Sequence, residues 1–265
     1  MSTFFSETGP PGLADFVAAH LGDGCAMRPA PGVHGAVQTW RITRDTQTWF
    51  ARWGRPRRKH TQELRVAQAV WPQLSGCPTL LAHDAPAGAL LMTGCAGAVG
   101  AVGPAAAHAV GELVARLHAI PTEDADPLPL QAALERRFAA ALRDAPPGLG
   151  PLRDRARAAF RSGQLALGTT RRWCHRDLQP ANWLWDGARA SLVDWEHARL
   201  DAPTLDLARL AGTAAWPAVR DGYGGVHGDA IRAAIALDGL GTTVWASRHD
   251  DPAFMARGRA ALETL

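Results

Sequence analysis

Apolar and polar residues alternate with a period of two along AVQTWRIT (36–43) and TQTWFARW (46–53), which predicts two strands joined near Arg44 and Asp45. LADFVAAHL (13–21) has the spacing of a short amphipathic helix. HTQELRVAQAVWPQL (60–74) has it again, with Ala67, Val70, Trp71 and Leu74 on one inward face. ALLMT (89–93) reads as a closing strand. From about Pro104 the period lengthens: helices are expected over 105–120, over 130–145 with Pro146-Pro147-Gly148 ending it, and over roughly 151–165. Short strands follow, then helices near 204–219, 227–238 and 252–263. The order predicts an α+β chain, a small N-terminal antiparallel-sheet lobe over 1–96 and a larger, mainly helical C-terminal lobe over 97–265.

Composition narrows the function classes. The chain has 265 residues and 47% hydrophobic content, enough for a sizeable core. A net charge of +3 is mild, and the basic run from Arg55 to Lys59 is short and poor in aromatics, so no nucleic-acid partner is expected. Lys59 is the only lysine against 27 arginines, a bias typical of a GC-rich coding sequence. Cys25, Cys77, Cys95 and Cys174 lack CxxC spacing and read as reduced and mostly buried, in a cytoplasmic protein. The first residues have no signal-peptide pattern. The uncharged run from Gly88 to Gly111 is too rich in Ala and Gly for a membrane span and is interrupted by Pro104, so it reads as a buried strand followed by a linker, with no membrane partner.

The chemistry concentrates in WCHRDLQPANWLWD (173–186). His175-Arg176-Asp177-Leu178-Gln179-Pro180-Ala181-Asn182 matches the pattern H-R-D-L-x-x-x-N, the catalytic loop of protein kinases, at every fixed position. Phosphoryl transfer needs a carboxylate that orients the acceptor hydroxyl and takes its proton, and hard oxygen ligands for the magnesium on the ATP phosphates. Asp177 suits the first task and Asn182 the second. Trp183 and Trp185 alternate with Leu184, Asp186-Gly187 signals a hairpin turn, and ASLVD returns to Asp194, a further ligand candidate. Glu196 lies two residues on, so in an extended chain both carboxylates point to one side. Singly, each of these residues reads equally well as a turn residue or a solvated acid; in this order, around a hairpin, they read as a site.

The segment RRWCHRDLQPANWLWDGARASLVDWEHARLDAPTLDLARL resembles the aminoglycoside phosphotransferase and choline kinase family, and GELVARLHAIP (111–121) is similar to that family's helix leading into the helical lobe. The resemblance implies a bilobal protein-kinase-like fold, ATP and Mg2+ as cofactors, Asp177 as catalytic base, and Asn182 and Asp194 as magnesium ligands. It further implies a lysine on the third strand that holds the phosphates, where this chain carries Arg52. Glu63 would pair with Arg52, or else with Lys59 on the surface. Asp206 resembles an acid that braces the catalytic loop, and reads equally as an acid in a first helical turn. His175 orders the loop, and His118 is expected to be a packed helix residue. By the same analogy Gly32 and Gly35 form a sparse phosphate loop, and the backbone from Met92 to Gly94 faces the adenine.

The expected activity is O-phosphorylation of a small hydroxylated molecule. An antibiotic, of aminoglycoside type or another cationic or nucleoside antibiotic, is the first choice of acceptor, with resistance as the outcome, and a choline-like amine, amino alcohol or sugar the second; a non-catalytic nucleotide-binding protein is the rival from another class. Asp201, Asp221, Asp229, Asp238, Asp250 and Asp251 make the C-terminal region acidic, which favours a cationic acceptor. No D-F-G or A-P-E follows Asp194, which disfavours a protein substrate.

Overall fold

The alternation in the N-terminal strands sorts their side chains onto two faces. Strand β1 (Ala26–Pro29), β2 (Gln38–Arg44), β3 (Gln47–Trp53), β4 (Leu80–Asp84) and β5 (Ala89–Thr93) form one antiparallel sheet in the order β1-β2-β3-β5-β4. These come from a computed structural model that describes residues 9–30, 38–100 and 103–265. Helix α1 (Leu13–Leu21) contributes Leu13 and Val17 to a core with Trp40, Ile42, Trp49, Ala51 and Leu91. Arg52, one position from Ala51, therefore leaves that core for the other face. Helix α2 (Arg57–Ala69) buries His60, Glu63, Val66 and Ala67. It begins earlier and ends sooner than the periodicity predicts. Pro72 cannot donate the next helical hydrogen bond, and Trp71–Gln73 form a 3-10 turn instead. Lys59 is exposed on its first turn.

The chain divides into two compact units, Met1–Ala96 and Gly97–Leu265. The second starts with β6 (Ala98–Val99) and α3 (Pro104–Ala119), so the last part of the uncharged run is helix. Helix α4 (Leu130–Asp144) and α5 (Pro151–Gly163) pack apolar faces, with Phe138 stacked on Phe160 at 4.0 Å. Strand β7 (Arg172–Cys174) pairs with β10 (Arg199–Asp201), while β8 (Trp183–Trp185) and β9 (Ala190–Leu192) form the expected hairpin, with β6 along β8. Gly187 takes φ 100° in the turn, and Asp186 Oδ1 accepts from the backbone of Ala188 and Arg189.

The helix expected over 204–219 is two short ones, α6 (Thr204–Leu207) and α7 (Trp216–Gly222). Helix α8 (Gly228–His249) continues eleven residues past its expected end, through two glycines, before α9 (Pro252–Glu263). At Gly239 the reason is packing, since a Cβ there would lie 2.9 Å from Leu262 Cδ2 of α9. None of the four cysteines is in a disulfide, and only Cys174 is buried, against the expectation of mostly buried thiols. No helix among the described residues is long and apolar enough to cross a membrane.

Helices α3 and α7 cross at a pair of glycines. A Cβ on Gly111 would stand 2.2 Å from Val219 O, and one on Gly222 would stand 2.0 Å from His108 O. Backbone meets backbone there, so neither site can yield by rotating a side chain. Gly222→Ala is expected to lower unfolding stability by about 1–3 kcal/mol or more, read from urea denaturation; an unchanged midpoint would show that the helices separate without cost.

Candidate active site

The loop between β7 and β8 carries the polar cluster, and a buried carboxylate from α6 shapes it. Asp206 Oδ2 accepts from His175 N at 2.6 Å and Oδ1 accepts from Arg176 N at 2.7 Å. His118 Nε2 donates to the same carboxylate at 3.1 Å, while His118 Nδ1 accepts from the Tyr223 hydroxyl at 2.8 Å. Burial raises the Tyr223 hydroxyl to about 12, which keeps its proton in place. Burial also pushes the Asp206 carboxyl up, but His118, Arg176 and His175 outweigh it and hold it below the usual carboxylate range. The bracing role thus has its geometry, and His118 is a packed helix residue with two partners.

Arg176 sits at φ 63°, a left-handed conformation that a side-chain-bearing residue adopts only under constraint. The Asp206 bonds supply that constraint from the backbone. The guanidinium adds more: Nε lies 3.3 Å from Asp201 Oδ2 and Nη2 lies 3.8 Å from Asp238 Oδ1. His175 is fully buried against Trp195, and its Nε2 donates to Val193 O at 2.9 Å. Burial lowers its pKa and favours the neutral ring. The tryptophans flanking the motif therefore serve as its dry wall: Trp173, Trp183 and Trp195 are all buried.

Asp177 is densely held. Oδ1 pairs with Arg209 Nη1, while Oδ2 accepts from Asn182 Nδ2 at 2.7 Å and Gln179 Nε2 at 3.2 Å. Asn182 Nδ2 also donates to Asp177 O at 2.9 Å, so the amide is pinned with Oδ1 turned the other way. Val193 N donates to Asn182 O at 3.0 Å, one ladder step beyond the hairpin, which sets Asp194 close to Asn182 in the fold. A neutral amide oxygen beside a carboxylate is a hard-oxygen donor set and fits magnesium. Glu196 is different. Asp194 takes φ 63° and ψ 59° and opens a 3-10 turn, Trp195–His197, so the chain is not extended there and alternation no longer places the two carboxylates. Glu196 Oε1 instead lies 3.2 Å from His197 Nε2.

In the N-terminal unit, Arg52 Nη1 stands 3.2 Å from Glu63 Oε1, so the structure brings together the two residues the spacing pairs. It adds a residue the sequence did not single out: Arg55 Nη1 lies 2.9 Å from Glu63 Oε2. Arg55 is held by pairing that continues past β3, with Arg55 N donating to Gly88 O. Met92 lies in β5 between β3 and β4. The N–H of Gly94 donates to Thr48 O at 2.9 Å, so that donor serves the sheet and does not face a base. Gly32 and Gly35 lie outside the described residues.

Of the acids of the C-terminal region, Asp201, Asp238 and Asp221 face basic side chains, which weakens the argument for a cationic acceptor. Asp201 is buried among Arg137, Arg176 and Arg199; burial raises its pKa, but the arginines outweigh it and keep it low. Asp238 faces Arg176 and Arg209, Asp251 caps α9 through Phe254 N, and Asp221 lies 3.4 Å from His108 Nε2. Asp229 and Asp250 are exposed at the ends of α8. Arg209 and Arg257 are the site residues that spacing missed; Arg209 follows Asp206 by one helical turn, the only signal available. His118, Cys174 and Asp206 also converge within 4.8 Å, but the Asp206 oxygens are taken up by the loop and burial holds Cys174 as a thiol, so the trio is a brace rather than a metal centre.

A model of the phosphotransferase enzyme family, APH, matches residues 30–237. No curated relative matches the chain. Among solved structures the chain is similar to macrolide 2'-phosphotransferase MphH from Brachybacterium faecium, with 20% identity over 94% of this chain and 96% of that one, TM-score 0.65. It is similar to choline kinase LicA from Streptococcus pneumoniae, with 13% identity over 95% and 97%, TM-score 0.66. Aminoglycoside phosphotransferase APH(4)-Ia gives 13% over 94% and 96%, TM-score 0.69. The likeness is one of fold, the α+β architecture of protein-kinase-like small-molecule kinases.

Two outcomes follow for stability. Asp206→Ala strands two buried N–H donors and is expected to cost about 3–5 kcal/mol in urea unfolding followed by tryptophan fluorescence, with Asp206→Asn losing less. For pH, His175 and His60 are both depressed, mainly by burial, from an ordinary value of 6.5. Below that value the unfolded chain binds protons the folded chain refuses, so stability falls as pH drops through 6.5. Asp206 and Asp201 add a second loss as pH falls below 3.8 toward their lower folded values. A urea midpoint that is flat between about pH 7 and pH 5 would contradict the first loss.

Proposed function

Because the chain belongs to the phosphotransferase enzyme family, and is a phosphotransferase, we propose that it transfers the γ-phosphoryl group of ATP to a hydroxyl of a small molecule, with an antibiotic as acceptor. The observation that carries the reading is the convergence on one loop of a carboxylate, Asp177, pinned by Asn182 and Gln179 beside the hard-oxygen pair of Asn182 and Asp194. Unlike Asp206, which is wholly enclosed by its partners, Asp177 keeps part of its side chain open to solvent.

Asp177 orients the acceptor hydroxyl and takes its proton. The oxygen then forms a bond to the γ-phosphorus as the bond to the bridging oxygen of ADP breaks, in line. Asn182 and Asp194 would hold a magnesium ion, which when bound neutralises phosphate charge. Arg52, steadied by Glu63, grips the α and β phosphates; a guanidinium forks onto phosphate and is always charged. Arg55 shares Glu63 through its other carboxylate oxygen. Antibiotic acceptors are supported by the macrolide and aminoglycoside phosphotransferases among the similar structures, and a metabolic acceptor by the choline kinase.

Asp177→Asn is expected to retain ATP binding and lose about 10²- to 10⁴-fold in turnover, measured as ADP release across an acceptor panel; Arg52→Ala should raise the ATP KM with a smaller change in kcat. Full turnover in Asp177→Asn would refute the mechanism.

A further inference from the structure

Contacts in the C-terminal unit close a ring around an open stretch of α8. Gln179 Nε2 donates to Asp177, and Arg257 Nη1 donates to Gln179 Oε1 at 3.1 Å. The Arg257 guanidinium lies over the Phe254 ring at 5.4 Å, and Phe254 meets Trp245 with centroids 4.9 Å apart. On α8, Trp245 shares a face with Asp238, seven residues before it and about 10 Å along the axis. Asp238 returns to Asp177 through Arg209, whose Nε lies 3.4 Å from Asp238 Oδ2 and whose Nη1 pairs with Asp177.

Between Asp238 and Trp245 on that face stands Gly241, where an added Cβ would meet nothing within 4 Å. A glycine inside a helix is costly, and packing does not ask for one here as it does at Gly239. Trp245 stacks on His249 at 4.2 Å and meets Phe254, yet 43% of it stays exposed, an unusual share for so large an apolar ring. Asp177 pairs with Arg209, Asp238 faces Arg176 and Arg209, and Arg257 adds a further cation beside Gln179, which leaves the ring no surplus of negative charge for a polycation.

Resting on the phosphotransferase reading above, we infer that this face of α8, floored by Gly241 and edged by Trp245, Phe254 and Arg257, seats the body of the acceptor. The acceptor is a hydroxylated, ring-bearing molecule with at most one positive charge. Its flat or apolar face lies on Trp245, an acceptor oxygen meets Arg257, and a hydroxyl reaches Asp177. Large aromatic rings supply such contact at little entropic cost.

The test is steady-state kinetics with a macrolide, a nucleoside antibiotic, choline and a polycationic aminoglycoside, on the wild type, Gly241→Leu, Trp245→Ala and, as a surface control, Leu165→Ala. Leucine at 241 enters open space and favours the helix, so a thermal melt should show no loss of fold. The inference expects turnover with a macrolide or nucleoside antibiotic. It expects a tenfold or greater rise in that acceptor's KM in Gly241→Leu and Trp245→Ala, with the ATP KM holding in both and Leu165→Ala matching the wild type. An unmoved acceptor KM in both variants, or turnover confined to choline or the aminoglycoside, overturns it while leaving the phosphotransferase reading intact. Absence of any ATP turnover that depends on Asp177 overturns both.

Discussion

Asp206 is the carboxylate on which the loop geometry hangs. It is buried, yet it holds charge because two backbone N–H groups and a histidine ring converge on it. Those bonds keep Arg176 left-handed, and the turn at Arg176 sets the direction in which Asp177 leaves the strand. The brace is itself held from outside. His118 comes from α3 and Tyr223 follows α7, so the glycine crossing that lets those helices touch is part of how a distant loop keeps its shape. Neutral hydrogen bonds are modest in net worth; an abandoned buried donor is expensive, and the network draws its rigidity from that asymmetry.

Arginine does most of the electrostatic work. Arg52 and Arg55 share Glu63 in one unit; Arg137, Arg176 and Arg199 gather on Asp201 in the other, and Arg209 spans Asp177 and Asp238. A planar, permanently charged fork can serve two carboxylates at once. Asp201 and Asp238, the acids that stand beside the loop, are therefore spoken for, which moves the acceptor question from charge toward shape.

What was legible in the sequence was what is local. The catalytic-loop motif, its hairpin and the Asp186-Gly187 turn are contiguous, and each residue type has a stereochemical reason to stand where it does. The Arg52 and Glu63 pair was legible because strand parity and helix spacing both point inward. Arg55, Arg209, Arg257 and the neutralisation of Asp201 were not, because they depend on which segments meet in space. Placing Glu196 beside Asp194 rests on a premise the backbone does not meet. Alternation assumes an extended chain, and the left-handed Asp194 breaks it one residue earlier. Gly239 and Gly241 hid half of α8, since a glycine that stops a helix and one that admits a neighbour look alike in a sequence.

The solitary lysine has a practical side. Reagents that acylate amines have a single side-chain target in this protein, Lys59, exposed on the first turn of α2. Probes that label proteins through a lysine amine will pass over Arg52, whereas dicarbonyl reagents selective for guanidines meet it as one of 27 arginines. A fluorophore or surface tether coupled through Lys59 would mark the N-terminal unit alone.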